Sequence, residues 1–184
     1  TVYSAATSTI INKNDAPTGT VTISGTATED QVLTVDASAL GDADGMGTVS
    51  LQWQSELSNG AWNNIAGAAS STLTLGDAQV GSSIRALATY TDDQGTFESV
   101  ASSGTLPITN INDTPTGVPI IEGQTLEAAI LTANTSGIAD ADGIFIINDG
   151  VYDIDPYIYQ WQLSSDNSSW SDITDVTEKT YTLT

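Results

Sequence analysis

Asp42-Ala43-Asp44-Gly45 sets two carboxylates one residue apart and follows them with the residue that turns most freely. A tight turn of this kind can aim both side chains at one hard cation, with glycine supplying the positive φ the turn needs. The same four residues return as Asp140-Ala141-Asp142-Gly143, 98 positions on (42 to 140). A lone polar turn whose aspartates cap their own backbone would look alike, but recurrence at a fixed offset in an acidic chain points to calcium on Asp42, Asp44, Asp140 and Asp142. A second recurring motif lies upstream of each turn. Asn14-Asp15-Ala16-Pro17-Thr18-Gly19 matches Asn112-Asp113-Thr114-Pro115-Thr116-Gly117. Asn14, Asp15, Asn112 and Asp113 therefore join the candidate ligands, because side-chain oxygens where one repeat leads into the next would stiffen the joint. The bland alternative is a linker held extended by Pro17 and Pro115. Glu29, Glu122, Asp92 and Asp93 offer further oxygens from loops that folding would have to bring near.

Composition narrows the chemistry. The chain has 23 acidic and three basic residues, Lys13, Arg85 and Lys179, for a formal net charge of −20. Such a surface repels nucleic acid and anionic membranes, whose binding needs Lys and Arg. So few cations leave most carboxylates to water or to bound metal, and calcium is the hard, oxygen-seeking ion that suits Asp, Asn and backbone carbonyls. There is no Cys and no His, which excludes disulfides, thiolate-bound metal and the usual structural zinc sites. No nucleophile elbow or phosphate-binding glycine loop is present. No carboxylate pair stands apart from the acidic background as a glycosidase pair would, so the chain is expected not to be an enzyme. No apolar run reaches the length of a membrane span, and no membrane insertion is expected.

The elements that must position these residues repeat as well. Gln52-Trp53-Gln54 returns as Gln160-Trp161-Gln162, Trp62 as Trp170, and Thr72-Leu73-Thr74-Leu75 as Thr180-Tyr181-Thr182-Leu183. The second copy is longer between its DADG turn and its QWQ, an insertion spanning 144–158 that carries Asp149, Asp153 and Asp155 beside Tyr152, Tyr157 and Tyr159. Residues 1–12 are expected to be the last strand of a preceding repeat, 13–111 one repeat, and 112–184 a second repeat lacking its final strands. Short runs rich in Val, Ile, Thr, Leu and Tyr alternate apolar with polar residues between Gly, Asp, Asn and Ser, the pattern of an all-β sandwich. No stretch holds a helical period, and Gly76–Gly81 has room for one helical turn. The spacing turns Trp53 inward, puts Ile84, Ala86, Ala88 and Tyr90 on one face, and rests the core on Leu51, Trp53, Ile65, Leu73, Leu75, Ile84 and Tyr90. Burial of each large side chain contributes about 1.5–3 kcal/mol.

Taken together, NDAPTG, the Glu29-Asp30-Gln31-Val32-Leu33 step (paired with Glu122-Gly123-Gln124-Thr125-Leu126), DADG, QWQ and Asp77-Ala78-Gln79-Val80-Gly81 give the chain a resemblance. It resembles the bacterial Ig-like, cadherin-like repeats of giant surface adhesins, including RTX-type adhesins of Gram-negative bacteria. The resemblance implies tandem Ig-like Greek-key β-sandwiches, secretion to the bacterial cell surface, and calcium-stiffened extender arrays that serve adhesion and biofilm. Asp15, Asp42, Asp44, Asp113, Asp140 and Asp142 match the family's motif positions, while the insertion departs from its pattern and the RTX nonapeptide is absent. The implied partners are neighbouring repeats of the same protein, with any surface or glycan ligand held by other parts of it. A rival expectation is a self-assembling filament or surface-layer subunit joined by β-strand donation. A third is a glycan-binding module built on Trp62, Trp170 or the Tyr-rich insertion.

Overall fold

A computed structural model describes residues 1–144 and 156–184. Most of the insertion, with Asp149, Tyr152, Asp153 and Asp155, lies outside the described residues. The chain divides into two compact units, Thr1–Ile111 and Asn112–Thr184.

The first unit is a two-layer antiparallel sandwich. One sheet holds β1 (Thr22–Ser24), β2 (Val32–Asp36) and β5 (Thr72–Thr74), in the order β1-β2-β5. The other holds β3 (Ser50–Glu56), β4 (Trp62–Asn64), β6 (Ile84–Thr91) and β7 (Phe97–Ala101), in the order β4-β3-β6-β7. The chain crosses from sheet to sheet after β2, β4 and β5, which is the Greek-key route of an Ig-like domain. A 3-10 turn at Asp77–Gln79 falls inside the expected Gly76–Gly81 window. Alternation along β6 buries Ile84, Ala86, Ala88 and Tyr90, as the sequence pattern requires of a half-buried strand. Trp53 is wholly buried, and its indole Nε1 donates to the Ser70 carbonyl at 2.9 Å. The core is wider than the sequence suggested. Val21, Leu33, Val35, Leu40 and Ile108 are buried in it, while Leu51, Ile65 and Leu73 pack at its margin. Ile108 belongs to a terminal segment pinned by parallel bridges, Thr28 to Thr109 and Val80 to Ile108. Residues 1–12 carry no strand and are exposed throughout.

The second unit repeats this plan as far as β5. Its strands are β8 (Ile120–Glu122), β9 (Ile130–Asn134), β10 (Gln162–Leu163), β11 (Ser171–Asp172) and β12 (Thr180–Thr182). They pair as β12-β9-β8 and β10-β11. Trp161 is buried, and its Nε1 donates to the Glu178 carbonyl at 2.8 Å, matching Trp53. The glutamines around each tryptophan repeat their roles too. Gln52 and Gln160 donate to backbone carbonyls, including those of Trp53 and Trp161. Gln54 and Gln162 reach across the hairpin to Asn64 and Asp172. One sequence pairing is corrected by the register. Ile23 faces Val35 as Ile121 faces Ala133, and Asp30 and Ala128 share a positive φ. Glu29 therefore corresponds to Glu127, not to Glu122, because the strand register, not the local Glu-x-Gln likeness, fixes the phase.

Candidate functional site

Both repeats open with the same backbone device. In the first unit Thr18 and Gly41 exchange backbone hydrogen bonds of 2.7 and 3.0 Å. Gly19 lies at φ +83°, and a side chain there would strike the Ala39 carbonyl. The glycine of the Pro-Thr-Gly motif is thus required both by its left-handed backbone and by a close approach. The clamp carries Asp15 to the DADG turn, where its N–H donates to Asp44 Oδ2 at 2.6 Å. Asp42 Oδ1 accepts the Asp44 N–H at 2.9 Å, and Gly45 closes the turn at φ +96°.

The second unit matches this bond for bond. Thr116 and Ala139 exchange backbone bonds of 2.7 and 3.0 Å. A side chain on Gly117, also at φ +83°, would strike the Gly137 carbonyl. The Asp113 N–H donates to Asp142 Oδ2 at 2.7 Å, and the Asp142 N–H to Asp140 Oδ1 at 3.0 Å. Each DADG turn therefore caps its own backbone, and its second aspartate latches the opening motif. The capping alternative raised for the turns holds for Asp42 and Asp140, and it leaves carboxylate lone pairs to spare.

The remaining candidates divide. In the second unit, Asp113 and Asp142 bring carboxylate oxygens within 4.8 Å of each other, and Asn112 Nδ2 donates to the Asp113 carbonyl. At the far end of the first unit, Glu29 and Asp77 do the same, with the fully buried Glu29 accepting the Ile111 N–H at 3.0 Å. Glu122 is engaged locally by Asn134. Asp93 packs its carboxylate where a Gly45 side chain would stand.

The densest acidic group joins Asp42 to the β6–β7 hairpin. Asp42, Asp92 and Glu98 each place a carboxylate oxygen within 4.8 Å of the others. Tyr90 Oη donates to Asp42 Oδ2 at 2.6 Å. Burial, then that bond and the charges of Asp42, Glu98 and Asp92, push the Tyr90 phenol up to about 12. Asn14 Nδ2 donates to Glu98 Oε1 at 2.8 Å. Asp92 is 5% exposed. Its Oδ1 accepts the N–H groups of Gln94 and Thr96, while its Oδ2 is buried with no hydrogen-bond partner. An orphaned, buried carboxylate oxygen is costly in a folded protein, and a hard cation beside it would offset that cost. The residues fit calcium on this ground.

Glu98 and Tyr90 were missed in the sequence. The signal was the register of the hairpin around Asp92-Asp93-Gln94-Gly95, which pairs Tyr90 with Glu98. The aromatic candidates also part. Arg85 covers the Trp62 ring, 4.4 Å from its centroid, so that face is taken. Trp170 is exposed and lines a cavity of about 450 Å³ with Tyr159, Ile121 and Trp161.

Among the described residues, no helix is long and apolar enough to cross a membrane. No protein-family model matches the chain, and neither a curated protein nor a solved structure matches it.

Proposed function

We propose that this chain is a pair of spacer repeats from an extracellular bacterial surface adhesin, stiffened by calcium at the motifs that open each repeat and supporting cell adhesion or biofilm. The observation that carries this reading is the repeated latch, in which Asp15 leans on Asp44 and Asp113 on Asp142. A catalytic arrangement has no reason to recur in successive modules, whereas a joint between identical modules must. Asp15, Asn14, Asp42 and Asp44 would hold the ion in the first repeat, and Asp113, Asn112, Asp140 and Asp142 in the second. Their oxygen-only chemistry suits calcium, and an ion that binds the folded state alone stabilises it by mass action.

Calcium titration with thermal unfolding and small-angle scattering on one sample tests this. The expected result is a higher melting temperature, a longer particle and no change in mass. A well-folded monomer whose melting and length ignore calcium would sink the proposal. A second reading, a filament joined by strand donation, draws on the exposed Ile120, Ile121, Leu126 and Ile130 of the second unit and the exposed Ile10 and Ile11 of the opening segment. Growth of long assemblies in the same experiment would favour it.

A further inference from the structure

We propose that Asp42, Asp92 and Glu98 form a calcium site closed within the first unit, with Asp92 Oδ2 as its innermost ligand. The inference shares the calcium premise of the extender reading and Asp42 as a ligand, but it rests on Asp92 and Glu98, which that reading does not use, and needs neither a joint nor an adhesin.

Two independent observations meet here. One is the convergence of three carboxylates from three places in the fold: the DADG turn, the tip of the β6–β7 hairpin and β7 itself. The other is Asp92, nine-tenths buried and more, with one oxygen anchored by two backbone N–H groups and the other without a partner. The two backbone bonds fix the rotamer, so the second oxygen cannot swing to solvent without losing them. Tyr90 fixes Asp42 in the same way through Oδ2, and Asn14 holds Glu98 through Oε1. Each ligand is thus orientated by a neighbour that is not itself a carboxylate, as the outer partners of metal ligands are.

Ligand chemistry selects the ion. The set is all oxygen, which disfavours zinc and copper. The ligand oxygens lie within 4.8 Å of one another. Oxygens that share one calcium stand up to about 5 Å apart, and magnesium keeps several waters in preference to an all-protein ligand set, so calcium is the better match. Binding would tie the β6–β7 hairpin to the DADG turn and, through Asn14, to the opening motif of the repeat.

The test is calorimetric titration of the full chain with calcium chloride, repeated on Asp92→Asn, Glu98→Gln and the pair Asp113→Asn and Asp142→Asn. Terbium luminescence excited through tyrosine gives a second readout, since Tyr90 contacts a ligand. Asp92→Asn and Glu98→Gln are expected each to weaken one binding event by at least about tenfold and to remove the tyrosine-sensitised signal, while the second-unit pair leaves both intact. Glu98 is only half-buried, so Glu98→Gln keeps the test open if Asp92→Asn fails to fold. An unchanged isotherm and signal in Glu98→Gln would overturn the site, even where calcium still stabilised the chain elsewhere. Loss of calcium-dependent lengthening in the second-unit pair, with this site intact, would bear on the extender reading alone.

Discussion

At the residue scale, what decides a carboxylate's behaviour is which donors face it. Asp166 shows this away from any candidate ligand. Its Oδ1 accepts the backbone N–H groups of Ser168 and Ser169 at 2.9 and 2.8 Å and the Ser164 hydroxyl at 3.0 Å. Those donors, the Ser169 N–H foremost, hold its carboxyl well below the usual range. A depressed folded pKa contributes stability above the unfolded value of about 3.9 and loses it as pH falls through the folded one. The 164–169 loop should therefore keep its order at pH 3, where ordinary carboxylates are protonated. Amide NMR shifts of Ser168 and Ser169 check this, and a midpoint near pH 4 would refute it. Asp92 is the opposite case, with one oxygen doubly served and one left bare. The sequence showed that Asp92 was available but not that half of it would be orphaned, since that depends on which backbone N–H groups the hairpin tip turns inward.

At the element scale, the turns govern. Gly45 and Gly143 occupy the same place in the two DADG turns at φ +96° and +84°, but a side chain at Gly45 would meet the Asp93 carboxylate while one at Gly143 meets none of the described residues. Forced positive φ costs about 1–3 kcal/mol in a non-glycine residue. Gly143→Ala should carry that strain alone. Gly45→Ala should cost more in its own unit's urea unfolding transition, and the reverse order would show that the Asp93 contact yields freely. Much at this scale was legible in advance: the alternation of β6, the inward Trp53, the single helical turn, the equivalence of the two QWQ segments. What was not legible came from pairing at a distance. The match of Glu29 to Glu122 followed local likeness, and the Ile23–Val35 and Ile121–Ala133 registers restore the constant offset of the repeat, in which Glu29 corresponds to Glu127. Leu33 and Ile108 look no more apolar than Ile10, yet each is buried, because strands far along the chain close over them.

At the scale of the whole molecule, a net charge of −20 means that like charges oppose compaction everywhere and that ions of any kind relieve them. Sodium chloride should raise the melting temperature smoothly, and calcium at matched ionic strength should add a saturable step beyond it. A calcium response no larger than that of sodium would mean screening alone. The repeated plan was plain in the sequence, while the acidic grouping on the hairpin was hidden until folding joined positions 42, 92 and 98. The terminal segment of the first unit has a consequence of a mechanical kind. Thr109 runs parallel to Ala27–Glu29 and exchanges bonds of 2.9 and 3.1 Å with it. Tension applied through the two ends of this unit would draw those parallel segments lengthwise past each other, so their bonds carry the load together and fail together instead of unzipping one by one.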